Sequence, residues 1–216
     1  MRFFDRTYRF AEPDISAFVR ALFAEFQIDD RILSAPDGQN PAKFVASVAE
    51  AYSLTPREIK RAFDVLRSAI TIWPHPVPIE LLLLLPAVVA QCRGDVGTLT
   101  SLSKLTGFKL PPRAGEVVIE FEKYRDREGR AERVSLAQLF EAFMSFVVTP
   151  LSDVSDRERG RGYREWMAER FTEEFRIMHG NRRTSKSEPR SVCRDYVELV
   201  RAVGRLSPNS GESQPG

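Results

Sequence analysis

Apolar residues recur at steps of three and four along most of the chain, which predicts a mainly helical protein. A polar loop covers residues 29–39, and the segment from Phe3 to Phe10 predicts either a short strand or an extended lead-in. Residues 208–216 contain no apolar anchor, which predicts a disordered tail. The predicted helices span approximately residues 14–27, 41–52, 56–72, 78–92, 96–105, 136–149, 163–178 and 191–206.

Three of these helices begin with capping signals. Asn40 precedes Pro41, a pair typical of a cap followed by the first helical position. Thr55 and Glu58 form a Thr-x-x-Glu capping box around Pro56, and Ser135 begins a similar Ser-x-x-Gln box. The helix that begins after Thr55 is therefore the best-defined element of the sequence.

A charged stretch around residues 116–134 interrupts the helical pattern. Val117 to Phe121 has a strand-like composition, and Asp126-Arg127-Glu128-Gly129 suggests a turn, so a small β-hairpin is predicted. A solvated helix is the alternative, because ten of the fourteen residues from Glu120 to Arg133 are charged. The preceding break, Pro111 to Gly115, predicts a boundary between a helical region at 1–110 and a helical C-terminal extension at 111–206, followed by the tail at 207–216.

Composition limits the classes of function. The net charge of +2, from 32 basic and 30 acidic residues, does not indicate a polyanion-binding protein. Cys92 and Cys193 are too few for a disulfide framework, which favours reduced thiols in the cytoplasm. The most apolar run, Ile79 to Ala90, is shorter than the ~20 residues that a membrane span needs. We interpret it as a core helix, with a groove for a partner protein as the alternative.

The sequence contains no recognisable catalytic motif. It lacks a phosphate-binding Gly-x-x-x-x-Gly-Lys-Ser/Thr loop and a Gly-x-Ser-x-Gly nucleophile elbow. His75 and His179 lie over a hundred residues apart and are the sole support for a hydrolase or metal enzyme of unfamiliar type. No catalytic or metal-binding residue is therefore predicted.

A basic segment near the C-terminus is the one candidate for contact with nucleic acid. It carries four cations against Glu188, and no aromatic residues interleave with them. A solvated tail is therefore the favoured interpretation, and nucleic-acid binding is the weaker one. The cations are Arg182, Arg183, Lys186 and Arg190.

Arg57 and Arg61 are the candidate ligand-binding residues. At about 100° per residue they fall opposite the apolar face of their helix. A cation in a first helical turn faces the positive end of the helix dipole, at a cost of about 0.3 kcal/mol or more, which Glu58 can offset. They are either exposed arginines tolerated at small cost or residues that point at an anion brought by another domain or chain.

Two blocks of the sequence resemble KAP-family P-loop NTPases. The first is Phe4-Asp5-Arg6-Thr7-Tyr8-Arg9-Phe10-Ala11-Glu12-Pro13-Asp14 followed by Phe18, which is similar to the segment after the family's nucleotide-binding core. The second is Ala51-Tyr52-Ser53-Leu54-Thr55-Pro56-Arg57-Glu58-Ile59-Lys60-Arg61, which is similar to a later family signature. The resemblance covers roughly residues 1–85.

This resemblance implies a helical lid-like bundle from the C-terminal side of such an ATP-dependent protein. The family's phosphate loop and metal-binding strand would lie before Met1, so the chain would be truncated or split and would not be catalytic alone. ATP and magnesium would be bound only with a P-loop core supplied in trans, with Arg57, or less favourably Arg61, contacting the terminal phosphate. The family also implies links to signalling assemblies and, in bacteria, to phage defence. The alternative is a free-standing helical module that binds protein or nucleic acid.

Overall fold

The computed structural model describes residues 14–36, 39–73, 78–104, 109–125, 129–148 and 189–206. Within these ranges the chain forms seven α-helices and two small two-stranded sheets, so the predicted mainly α fold is confirmed. The helices are α1 (Ile15–Glu25), α2 (Pro41–Ala51), α3 (Pro56–Ile72), α4 (Leu81–Arg93), α5 (Val96–Lys104), α6 (Leu136–Val148) and α7 (Pro189–Leu206). The strands are β1 (Leu33–Ser34), β2 (Ile79–Glu80), β3 (Val118–Arg125) and β4 (Ala131–Ser135).

The helix starts predicted from the three capping signals are confirmed at the level of individual hydrogen bonds. Asn40 accepts a hydrogen bond from the backbone N–H of Lys43, and Pro41 is the first residue of α2. The Thr55–Glu58 box forms at the start of α3. At the start of α6, the Gln138 side-chain oxygen accepts a hydrogen bond from the backbone N–H of Ser135, and the Ser135 hydroxyl accepts one from the backbone N–H of Gln138. The predicted lead-in at 3–10, helix at 163–178 and tail at 207–216 lie outside the described residues.

The fourth helix begins three residues later than the sequence predicts. Ile79 and Glu80 form β2, which pairs in parallel with Leu33 and Ser34 of β1. The Glu80 carboxylate then accepts a hydrogen bond from the backbone N–H of Leu82 and caps α4. The predicted start at Pro78 is therefore wrong, because pairing with a distant strand holds Ile79 and Glu80 extended. The same pairing places a strand inside the predicted polar loop at 29–39.

Helix α4 lies at the centre of the described structure. Every residue from Leu81 to Ala90 is buried, and the helix packs against α2, α3, α5 and α7. The apolar run is therefore core, and the alternative of a partner groove on it has no exposed apolar surface. Pro86 lies inside this helix.

The charged stretch forms the predicted hairpin rather than a helix. Strands β3 and β4 pair in antiparallel fashion, with an irregularity between Phe121 and Arg125. Ile119, Phe121 and Val134 point into the core, so the apolar residues of this stretch explain why it folds as a half-buried ribbon. The solvated-helix alternative is wrong.

One hydrophobic cluster joins the described segments on both sides of the Pro111 break. It includes Val19 and Leu84 from the first segments, and Phe121, Leu139 and Val200 from the later ones. The backbone N–H of Arg113 donates a hydrogen bond to the Ala51 carbonyl at 3.0 Å. The C-terminal helix α7 packs against α3, α4, α5 and α6.

Candidate functional site

Helix α3 separates cleanly into a buried face and an exposed pole. Ile59, Phe63, Leu66 and Ala69 are buried, and the Phe63 ring packs edge-on against Phe23 of α1 at a centroid distance of 5.4 Å. The opposite pole is exposed, as its spacing predicts. It carries Arg57, Lys60, Arg61, Asp64 and Ser68.

The first turn of α3 is held by a compact set of hydrogen bonds around Glu58. Its Oε2 atom accepts from the backbone N–H of Thr55 at 2.8 Å and from the Thr55 hydroxyl at 2.9 Å. Its Oε1 atom accepts from Nε of Arg93, at the end of α4, at 3.0 Å. Arg93 also donates to the backbone carbonyl of Tyr52 at 3.1 Å, so it ties the ends of α2 and α4 to the start of α3.

These bonds favour the charged form of Glu58. The hydrogen bond from the Thr55 backbone is the largest cause that holds the pKa of this carboxyl below its usual value, and Arg93 adds to the effect. Partial burial opposes the shift. Glu58 is therefore an anion at neutral pH, with both of its oxygens already hydrogen-bonded.

Arg57 and Arg61 line a shallow depression between α1 and α3. Its volume is about 500 Å³, and Phe18 forms its apolar wall. Three cations face one carboxylate there, because Lys60 and Asp64 complete the lining. Over the part of the chain that the structure describes, Arg57, Lys60 and Arg61 form no ion pair or side-chain hydrogen bond. The depression can therefore bind an anion through the N–H donors of these three cations, beside the Asp64 carboxylate.

The charges of Arg61 and Asp64 in this depression act on the thiol of Cys92, but they do not activate it. Burial raises the pKa of its thiol to about 11, and the nearby Arg61 only partly opposes this effect. A thiol with this pKa is almost wholly protonated at neutral pH, so it is a poor nucleophile. The residue belongs to the packing of α4 rather than to the chemistry of the site.

The other candidate residues are placed only in part. His75, His179, Arg182, Arg183 and Lys186 lie outside the described residues, and the backbone of Arg190 lies in the first turn of α7. Within the described ranges, no group of three His, Cys, Asp or Glu side chains could hold a metal ion.

Two residues of the site were missed by sequence reasoning. Lys60 adds a third cation to the exposed pole, and its position three residues after Arg57 would have revealed it. Arg93 anchors the Glu58 carboxylate from a helix 35 residues later. No local pattern predicts that contact, because it depends on how α3 and α4 pack.

Comparison with known proteins returns no relative: no family model, no curated protein and no solved structure matches the chain. The resemblance to KAP-family NTPases is therefore neither supported nor contradicted. Among the helices of the described ranges, none combines the length and the apolar character required to cross a membrane.

Proposed function

We propose that this chain is the lid-side helical region of a KAP-like P-loop NTPase and lends Arg57 to the terminal phosphate of ATP. The ATP and its magnesium ion are held by a separate core, and the chain alone does not hydrolyse nucleotide. The proposal places the protein in the bacterial cytoplasm, in a phage-defence or signalling assembly. It rests on the two sequence blocks named above and on the free cations of α3.

The observation that carries the proposal is that the Glu58 carboxylate is hydrogen-bonded to residues other than Arg57. This carboxylate is the natural neighbour to neutralise Arg57, yet its two oxygens accept hydrogen bonds from Thr55 and Arg93. Arg57 is left exposed without an ion pair among the described residues. A guanidinium presents N–H donors in a planar fork that matches two phosphate oxygens.

The fold also supplies the rigidity that such a contact needs. Phe63, Leu66 and Ile59 fix α3 to the core, and the capping box fixes its first turn. Arg57 therefore stands on a firmly held backbone while its side chain reaches into solvent. A residue placed in this way can stabilise the charge that develops on a transferring phosphoryl group.

No described observation favours the alternative of a free-standing interaction module. Its two proposed surfaces were the Ile79–Ala90 run and the basic segment at 182–190. The first is buried and offers no exposed apolar face to a partner. The second lies largely outside the described residues.

A titration of ATP into the isolated chain at low salt tests the anion contact. We expect weak, saturable binding that an Arg57→Gln/Arg61→Gln variant loses by about tenfold, equivalent to ~1.4 kcal/mol. The matched control is Arg20→Gln/Lys43→Gln, which removes the same charge from α1 and α2. Equal loss in both variants would mean non-specific attraction of an anion and would contradict a specific contact through Arg57 and Arg61.

A further inference from the structure

A second cavity is lined in part by Arg93 and shares no lining residue with the depression on α3. It has a volume of about 130 Å³ and is bounded by the end of α2, by α4 and α5, and by the segment at 109–112. Pro86, Val89, Leu110 and Pro112 give it an apolar wall. Its polar side is formed by Tyr52, Arg93, Asp95, Thr98 and Lys109.

The Tyr52 hydroxyl is a buried donor that needs an acceptor. The residue is only 9% exposed, and its hydroxyl makes no hydrogen bond within the described part of the chain. A buried hydroxyl without a partner is costly, so such groups are rare in folded proteins. Burial is the main cause that raises the pKa of Tyr52, so the phenol stays protonated and can donate at neutral pH. Arg93 and Asp95 line the same cavity as Tyr52, and their charges also act on its phenol.

The polar side of the cavity has more free donors than free acceptors. Asp95 uses one oxygen to accept from the Thr98 backbone at 2.9 Å and the other to accept from the Thr98 hydroxyl at 2.6 Å. Arg93 keeps further N–H groups beyond the two that bind Glu58 and Tyr52. Lys109 has no ion pair within the described ranges, although its charge acts on the Asp95 carboxylate. A ligand that satisfies Tyr52 and the remaining Arg93 donors must bring acceptors, and the two cations of this lining, Arg93 and Lys109, outnumber its carboxylate and favour a negative charge.

The size of the cavity limits how large the apolar part of the ligand can be. A cavity of roughly 150 Å³ lined by apolar side chains accommodates benzene in a well-studied protein. The cavity here is slightly smaller, at about 130 Å³, and is partly open to solvent. It therefore fits one small ring or a short branched hydrocarbon, with its charged group toward Lys109.

We propose that this cavity binds a small monocarboxylate with an apolar body, whose carboxylate accepts hydrogen bonds from Tyr52, Arg93 and Lys109. The apolar body packs against Pro86, Val89 and Leu110. This inference does not rest on the proposed NTPase role, because the cavity and the depression on α3 have no lining residue in common. The two proposals share only Arg93, which contacts Glu58 through an atom that the ligand does not need.

The test is an NMR titration of the full chain with benzoate as the probe, in which the amide chemical shifts report binding. We expect saturable binding in the range of about 0.1–1 mM, with shifts concentrated at residues 86–98 and 109–112. Benzamide, which has the same shape without the charge, should bind at least about tenfold more weakly. Equal binding of benzamide, or no saturable binding of benzoate, would overturn the proposal.

Two substitutions separate a ligand contact from a structural role. Tyr52→Phe should weaken benzoate binding by about tenfold and leave the free protein as stable as before or more stable, because it removes an unpaired buried hydroxyl. Lys109→Gln should weaken binding, whereas the matched control Lys104→Gln on α5 should not. A Tyr52→Phe variant that binds benzoate normally, or that is destabilised without ligand, would contradict the assigned contact.

Discussion

At the scale of single residues, Glu58 decides what Arg57 is able to do. Its carboxylate is shared between Thr55 in its own helix and Arg93 from α4. The consequence is that Arg57, in the first turn of α3, has no ion-pair partner among the described residues. The sequence suggested the opposite arrangement, in which Glu58 offsets the charge of Arg57, because Arg93 could not be placed beside Glu58 before the fold was known.

Glu58 also makes stability depend on pH. Its pKa is lowered in the folded state, so its contribution is fully present above the ordinary value of 4.5 and is lost as the pH falls through the folded value. Glu58→Gln should therefore lower the free energy of unfolding by up to about 1 kcal/mol at neutral pH, with the difference from wild type shrinking below pH ~4.5. Urea unfolding at several pH values measures this difference.

The control for that experiment is Glu25→Gln. Glu25 lies at the end of α1 and forms no hydrogen bond or ion pair within the described residues. Its substitution should leave the pH profile close to that of wild type. A Glu58→Gln variant whose deficit persists unchanged at low pH would show that the carboxylate charge is not what stabilises the start of α3.

At the scale of elements, the turn between α2 and α3 sets the direction in which α3, the helix that carries Arg57 and Arg61, leaves α2. Ser53 has a φ of 52°, the left-handed region, and the backbone N–H of Leu54 donates to the Ala49 carbonyl at 2.9 Å. This is the arrangement with which helices commonly end, but glycine is the residue that usually occupies the left-handed position. Ser53 therefore holds a conformation that its side chain disfavours.

Ser53→Gly should stabilise the protein by about 0.5–1 kcal/mol, because glycine adopts a positive φ without steric cost. The same change at Ser68, an exposed interior position of α3, should destabilise it by about 0.5–1 kcal/mol. Thermal or urea unfolding of the two variants makes the comparison. If Ser53→Gly were as destabilising as Ser68→Gly, the proposed strain at this turn would be wrong.

The elements that sequence reasoning predicted well are those defined by neighbouring residues. Asn40, Thr55 and Ser135 cap their helices through partners three residues away, and the paired strands β3 and β4 are close neighbours in the sequence. The start of α4 could not be predicted in this way. It depends on the strand pairing of Glu80 with Ser34, which lies 46 residues earlier. The Glu80 carboxylate also accepts a hydrogen bond from the Ser34 hydroxyl at 3.0 Å.

At the scale of the whole molecule, α4 is packed among the other described helices, and the residues of the two candidate sites lie around this one core. The hydroxyl of Tyr196 in α7 accepts a hydrogen bond from the Glu80 backbone at 2.8 Å, which ties the C-terminal helix to the start of α4. Both candidate sites lie where separate segments meet. The sequence could indicate Arg57 and Arg61 from helical spacing, but the cavity beside Tyr52 requires α4, α5 and residues 109–112 to be packed together.

The central claim is that the chain contributes Arg57 to a nucleotide held by another protein. The most direct measurement is the rate of ATP hydrolysis by the chain purified from its own cells together with whatever it binds there. We expect a P-loop NTPase to accompany it, and Arg57→Ala to lower the rate about 10²–10³-fold while the complex stays assembled. The claim would be contradicted by hydrolysis from the isolated chain, by an Arg57→Ala complex that keeps the full rate, or by a preparation that contains no P-loop NTPase.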